Sequence, residues 1–245
     1  MLSAFSTSDK KPRMTTNSKE YSLVISGTYG RLSIGLYVGR IPQASVLFAK
    51  SPLSQDFVPH IVWFLDDRGL EFSDLAYIAL DTGPGAFTTL RVLISTVNAL
   101  SFATQIPIVA CNGLHVVMDE LLYNAGFHTK VALLNAYNNE VFYRICDRDD
   151  KPIMEDGYAE VSVVAEMLNK LDAPLFVGGN GYTTYKELFD SYIKVPFHVD
   201  DAEFATIIGV ADQAQRIWKS YESEKDFVYE VQPAYLKEHR YKKIA

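Results

Sequence analysis

Cysteine is scarce: the 245 residues hold two, Cys111 and Cys146, each inside a strand-like pattern. That excludes a disulfide framework and reads as two small, buried apolar side chains in a reducing compartment. Positive charge is in deficit, with 23 Lys and Arg against 30 Asp and Glu and a formal net charge of −7. Phosphate affinity comes from clustered Lys and Arg, so such a chain is a poor nucleic-acid binder on its own. No apolar run approaches the ~20 residues of a membrane span. The five histidines, His60, His115, His128, His198 and His239, show no paired ligand spacing such as H-E-x-x-H. Each reads as a surface or capping histidine. Residues 1–20 are rich in Ser, Thr, Lys and Asn and have no apolar core. They are not a secretory signal, and they read as a disordered extension. The expectation is a cytoplasmic protein without a membrane segment.

What is present is an ordinary soluble composition, 48% hydrophobic and 22% charged, in a chain long enough for one or two domains. The most informative stretch runs from Leu75 to Gly113. Alternation from Leu75 to Asp81 predicts a short buried strand. Gly83-Pro84-Gly85 breaks it, and Thr88 is the candidate N-cap of a helix reaching about Thr104. One face of that helix carries Leu90, Leu93, Ile94, Val97, Leu100 and Ser101 at core-facing spacing. The opposite face carries Thr89, Val92, Thr96, Ala99 and Ala103, small or β-branched and without charge. A helix of this kind is buried on both sides, inside its domain or against a partner. Ile108 to Cys111 is the next strand. The glycine loop itself has two readings. It could offer free N–H groups to an anion, or it could be a tight strand-to-helix turn with no ligand. Neither the lysine of a P-loop nor the third glycine of a dinucleotide fingerprint is present.

Before this stretch come three strands, Tyr21–Ser26, one about Leu32–Val38 and Ser45–Ala49, then a helix carrying Phe57, Ile61, Phe64 and Leu65. Pro59 falls harmlessly in that helix's first turn if Asp56 is the cap, and costs a bond if Ser54 is. After it come a helix about Leu114–Leu122 and a strand pair, Val131–Ala136 and Glu140–Cys146, around Asn138-Asn139. A weaker strand within Lys151–Glu160 follows, then a short helix capped by Ser162 and a strand Pro174–Val177 entering Gly178-Gly179-Asn180-Gly181. Thr184-x-x-Glu187 reads as a capping box. A long amphipathic helix carries Ile207, Val210, Ala211, Ala214, Ile217 and Trp218. The repeated order predicts an α/β fold of two related subdomains, residues 21–112 and 113–222, followed by a tail, 223–245. Asp81 and Asp119 could be offered as general bases. A strand-terminal aspartate more often satisfies loop N–H groups, and Asp119 lies on a polar helix side, so neither is assigned a catalytic role.

The run Gly83-Pro84-Gly85-Ala86-Phe87-Thr88-Thr89-Leu90-Arg91, with Ile106-Pro107 after the helix, resembles the TsaB (YeaZ) family of tRNA threonylcarbamoyladenosine synthesis. Weaker likenesses in the same order lie at Asn135-Ala136-Tyr137, at Glu140-Val141-Phe142-Tyr143, at Gly178 to Gly181, and at Pro233-Ala234-Tyr235-Leu236-Lys237. Three positions depart from the family pattern. Ile25-Ser26-Gly27-Thr28 stands where the family has Ile-Asp-Thr-Ser, Leu53-Ser54-Gln55 replaces His-Ser-Glu, and Thr89 replaces a glycine. The resemblance implies two actin-like, ribonuclease H-like subdomains, each a mixed sheet with helices. It implies a non-catalytic subunit that forms a homodimer when alone and pairs with a TsaD-like catalytic subunit. A TsaE-like ATPase joins, and tRNA is met through the complex. The assembly moves a threonylcarbamoyl group to the adenosine beside the anticodon. The implied interface uses Phe57, Ile61, Val62 and Trp63 of one helix and Thr89, Val92, Thr96, Ala99 and Ala103 of the other. Gly83, Pro84, Gly85, Phe87, Thr88 and Arg91 form the motif loop. No cofactor is required, though ATP or ADP at the partner interface is compatible, with Gly178, Gly179 and Gly181 as contacts. Two alternatives remain: a self-sufficient ATP-dependent kinase or ATPase of the actin-like superfamily, and a metallopeptidase. Ser26 in place of aspartate speaks against phosphoryl transfer, which needs a metal held in place. The basic run Lys237 to Lys243 could touch tRNA phosphates or simply be solvated.

Overall fold

A computed structural model describes residues 20–48, 53–121, 128–234 and 236; the side chains of residues 53–55 are not described. The expected N-terminal extension, apart from residue 20, and the basic run after Leu236 lie outside these residues.

The first sheet is built from β1 (Tyr21–Ser26), β2 (Leu32–Val38), β3 (Ile41–Phe48), β4 (Leu75–Asp81) and β5 (Ile108–Cys111), in the order β3-β2-β1-β4-β5. The first three strands are antiparallel meanders, and β4 and β5 join in parallel. The second sheet takes β6 (Thr129–Tyr137), β7 (Glu140–Asp147), β8 (Gly157–Glu160), β9 (Leu175–Gly178) and β10 (Phe197–Val199), in the order β10-β9-β6-β7-β8. Substituting β6–β10 for β1–β5 gives the same order with the same parallel and antiparallel pairs. The chain therefore folds the same mixed sheet twice, giving the two α/β units, each a mixed sheet with helices, that were expected.

Helices α1 (Leu53–Asp66) and α2 (Phe87–Thr104) cover the outer face of the first sheet. Their stripes bury Phe57, Ile61, Phe64 and Leu65 from α1 and Leu90, Leu93, Ile94, Val97 and Ser101 from α2. Helices α4 (Val161–Leu168), α5 (Asn180–Thr184) and α6 (Lys186–Tyr192) cover the outer face of the second sheet. Between the sheets lie α3 (Gly113–Glu120), packed on the second, and α7 (Ile207–Ser220), packed on the first. The result is five layers, helix–sheet–helix–sheet–helix, with four apolar seams.

Several local expectations are corrected. Helix α2 begins at Phe87 with Ala86 as N-cap, not Thr88, and no side chain caps it. Glu160, not Ser162, precedes α4. The Thr184–Glu187 capping box does not form, because α5 ends at Thr184 and Tyr185 separates it from α6. Helix α1 starts at Leu53, so Pro59 lies inside it, where proline offers no N–H to the preceding turn. Strand β10 was not expected from its three residues. The element expected to close the second unit, α7, packs on the first sheet. The stretch after it is more than a loose tail. The Ile108 N–H donates to the Val228 carbonyl at 2.6 Å, Val231 is buried in the first core, and Leu236 packs against the seam between α3 and the second sheet.

The second half depends on a close backbone approach at Gly179. Its φ is +105, and a Cβ there would run into the Leu133 carbonyl of β6. Both the dihedral and the space require glycine. Gly179→Ala is expected to cost more than about 4 kcal/mol, read as a lowered midpoint in urea unfolding.

Candidate functional site

The glycine loop turns its polar groups inward. Asp81 ends β4 fully buried, and its Oδ1 accepts the Gly83 N–H at 2.9 Å. Its Oδ2 accepts hydroxyls from Thr28 at 3.1 Å and Ser26 at 3.3 Å. The Thr82 N–H donates to the Cys111 carbonyl, the Ala86 N–H to that of Thr28, and the Gly113 N–H to that of Gly83. The Ala234 N–H donates to the Thr82 carbonyl at 2.9 Å, which ties the C-terminal stretch to the same loop. This favours the tight-turn reading over an open anion cradle. Pro84 follows a cis bond and is buried with Gly83, while Gly85 is half-buried against Thr28. Phe87 is half-buried with the Arg91 guanidinium 3.7 Å over its ring, and Thr88 is exposed.

Burial pushes the Asp81 carboxyl up to about 6, against the opposing pull of Gly83, Thr28 and Ser26. Ser26, where the resemblance expects an aspartate, thus touches a carboxylate supplied by another strand. Sequence reasoning missed this contact because 55 residues separate the pair.

The cleft between the sheets is lined by the chain's own contacts. The Tyr29 hydroxyl, on the β1–β2 turn, donates to the Asn135 carbonyl of β6 at 3.0 Å. Gly178, Gly179 and Gly181, expected as nucleotide contacts, are all buried. The Gly179 and Asn180 N–H groups donate to the Ala202 and Glu203 carbonyls at 2.7 and 2.8 Å. A Cβ on Gly181 would meet the Leu133 and Leu134 backbone. This loop therefore packs against protein on these sides. A cavity of about 380 Å³ remains beside it, lined by Ser26, Thr28, Tyr29 and Arg31 and by residues 201–207.

The helix faces divide sharply. Phe57 and Ile61 lie in the core, because they share the α1 stripe with Phe64, and are withdrawn as interface residues. Val62 and Trp63 stay 39% and 51% exposed. On α2, Ala99 and Ala103 are exposed, and Thr89, Val92 and Thr96 half-buried. Phe102, which the sequence reading passed over, is 80% exposed on the same face, and Val58 adds to the α1 side. A helical projection centred on Ala99 carries the signal, since Phe102 lies about 60° away at 100° per residue. The helix is thus buried on one side only. Its other side is an exposed ridge of small residues from which Phe102 and, nearer the helix start, Arg91 project.

Asp119 pairs with Arg216 and is exposed. His115 is not an ordinary surface histidine. Its Nε2 lies 2.6 Å from Asp156 Oδ2, and Arg144 reaches Asp156 Oδ1 at 2.8 Å. Burial raises the Asp156 carboxyl, but the His115 hydrogen bond and the Arg144 charge outweigh it and hold it low. His115 and Arg144, with Asp119 and Arg216, border a second cavity of about 430 Å³. His60 stacks on Phe48 and His198 on Phe176, while His128 is exposed and His239 lies outside the described residues. Among the described residues, no three His, Cys, Asp or Glu side chains converge as metal ligands, and no helix is long and apolar enough to cross a membrane. Cys111 and Cys146 are both buried and free.

A family profile described as "TsaD: tRNA N6-adenosine threonylcarbamoyltransferase" matches residues 48–240. The chain belongs to this TsaD family. Within it, the likeness runs to TsaB/YeaZ, and distantly. The chain is 22% identical over 138 residues to the tRNA threonylcarbamoyladenosine biosynthesis protein TsaB of Buchnera aphidicola subsp. Acyrthosiphon pisum, covering 56% of this chain and 62% of that protein. It is 22% identical over 139 residues to the Escherichia coli TsaB, covering 55% and 60%. The matched region thus spans about three fifths of the length of these relatives. The solved structure of YeaZ from Pseudomonas aeruginosa superposes with a TM-score of 0.66 at 20% identity, over 89% of this chain and 100% of that one. That similarity carries the fold.

The buried Asp81 gives this TsaD-family chain a signed pH dependence. Its folded value, about 6, lies above the ordinary 3.8, so the fold binds the proton more tightly than the unfolded chain does. The contribution is complete below about pH 4 and is lost as pH rises through about 6, a swing of at most about 3 kcal/mol. Urea unfolding across this window should show that slope, and Asp81→Asn should remove it. An unchanged slope in Asp81→Asn would assign the dependence to other groups.

Proposed function

We propose that this chain is a non-catalytic scaffold subunit of a tRNA threonylcarbamoyladenosine assembly. It holds a TsaD-like catalytic subunit in the complex that transfers a threonylcarbamoyl group to the adenosine next to the anticodon. A TsaE-like ATPase joins the same assembly, tRNA is met through the complex, and the unpartnered chain pairs with itself. The observation that carries the reading is the exposed ridge on α1 and α2: Val58, Val62, Trp63, Ala99, Phe102 and Ala103. Clustered exposed apolar side chains on a soluble protein mark an interaction site, and small residues on a helix let another helix approach closely. Phe102 beside Ala99 and Ala103 supplies the projecting anchor that protein interfaces favour. The inward-turned glycine loop and the protein-facing Gly178–Gly181 segment support a scaffold over a nucleotide-using enzyme.

Ala99→Arg tests the ridge. The exposed position should accept arginine with the melting temperature within about 2 °C of wild type. Self-association and binding to the TsaD-like partner should both weaken by roughly a hundredfold, since docking would bury an unpaired guanidinium. A folded Ala99→Arg protein with unchanged partner affinity would sink the assignment. The second reading, a self-sufficient ATPase, is separated by turnover: the isolated wild-type protein should hydrolyse ATP at the rate of the buffer blank. Hydrolysis above it that Gly178→Trp abolishes would favour the enzyme.

A further inference from the structure

Asp81 carries more than the turn it ends. Its carboxylate collects donors from separate segments: the Ser26 hydroxyl at the end of β1, the Thr28 hydroxyl on the β1–β2 turn and the Gly83 N–H of the glycine loop. A Cβ on Gly113 would lie 2.7 Å from Oδ1, so α3 starts against the carboxylate only because it starts with glycine. The titratable groups that feel its charge are Tyr29, from the turn, and Cys111, from β5. Burial first, and Asp81 among the further causes, pushes both up, so both are neutral at pH 7. Among the described residues, no cationic side chain contributes to its own balance.

A buried carboxylate without a counter-charge costs stability, and a neutral side chain would fill the same space more favourably. What the carboxylate adds is acceptor capacity without any competing donor, enough for all three groups that point at it. Ser26 and Thr28 also line the 380 Å³ cavity; both hydroxyls reach Asp81 Oδ2, and the Ser26 hydroxyl lies in addition 3.4 Å from the Ala205 carbonyl on the cavity wall.

We propose that Asp81 is a built-in anion that pins the β1–β2 turn and the glycine loop into one floor beneath the cavity, against which α3 starts. It takes up the donors that a bound phosphate or carboxylate would otherwise use. Because Ser26 Oγ lies 3.3 Å from Oδ2, positions 26 and 81 share one anion site, and the charge can be carried from either. Asp81 is a positioning residue here, and its role is independent of partner docking.

An exchange of the two side chains tests this in the full chain. Amide hydrogen exchange is read at residues 27–31 and 83–86, with thermal melting followed across about pH 4 to 8. Asp81→Ser should speed exchange in both loops by roughly tenfold or more, since the shared acceptor is gone. Its melting profile should lose the inflection near pH 6. Ser26→Asp combined with Asp81→Ser should return slow exchange in both loops and restore a carboxylate inflection. Ser26→Asp alone puts two carboxylates in one buried site and should melt well below wild type. Wild-type exchange in Asp81→Ser would overturn the proposal. So would a double variant no slower in exchange than Asp81→Ser. The comparison of these two proteins stands even if Ser26→Asp alone does not fold.

Discussion

The Asp81 carboxylate is where several segments of the first half of the chain meet the start of α3. Donors reach it from the end of β1, the turn after it and the glycine loop, and the first residue of α3 packs against it. Helix α3 then carries the chain to the second sheet. The Tyr29 hydroxyl completes the connection by crossing to Asn135 of β6. A polar junction of this sort gives little net stability, but it specifies one arrangement among the many that apolar packing alone would allow.

The two sheets solve the same packing problem with different outer helices. The first presents α1 and α2, each with one buried stripe and one open face that is nearly free of charge. The second presents α4, α5 and α6, whose outer positions include Glu166, Lys186, Glu187 and Asp190, all exposed. A repeated fold has thus kept a conventional solvent face on one side and an apolar ridge on the other. The cleft between them follows an internal logic too. Backbone N–H groups after β9 pair with the Ala202 and Glu203 carbonyls, so that loop is satisfied by the chain itself.

The strands and the long helices were legible in the sequence because their signals are local. Alternation marked β2 and β4, the turn at Asn138-Asn139 marked the β6–β7 pair, and the stripe from Leu90 to Ser101 marked the buried face of α2. Short elements were not legible: β10 is three residues held by pairing with β9, a fact of the sheet and not of its own composition. The cap positions at Thr88, Ser162 and Thr184 failed because neighbouring packing set the helix starts, and hydroxyl residues near a start are only permitted caps. At the site, the glycine loop was visible, but its partners were not. Ser26 and Thr28 meet Asp81 across more than fifty residues, and His115 meets Asp156 across forty-one. Phe102 was visible in principle, since its exposure follows from its angle on α2. Phe57 and Ile61 were misplaced because an apolar helix face alone does not say whether a sheet or a partner covers it.

Helix α7 and the stretch beyond it have a consequence for how the protein is made. The inner face of the first sheet, Val24, Tyr37, Tyr77, Ala79 and Val109, is covered by Val210, Ala211 and Ala214, which come about a hundred residues after the last strand of that sheet. Val231 then closes the outer core and is held by two hydrogen bonds to the Asn98 side chain, each 3.0 Å long. During synthesis the N-terminal half emerges first and waits, with an apolar face open, while the whole second sheet is translated. Native packing of the first half becomes complete only when the C-terminal segment arrives, so the two halves mature as one unit on the ribosome's schedule.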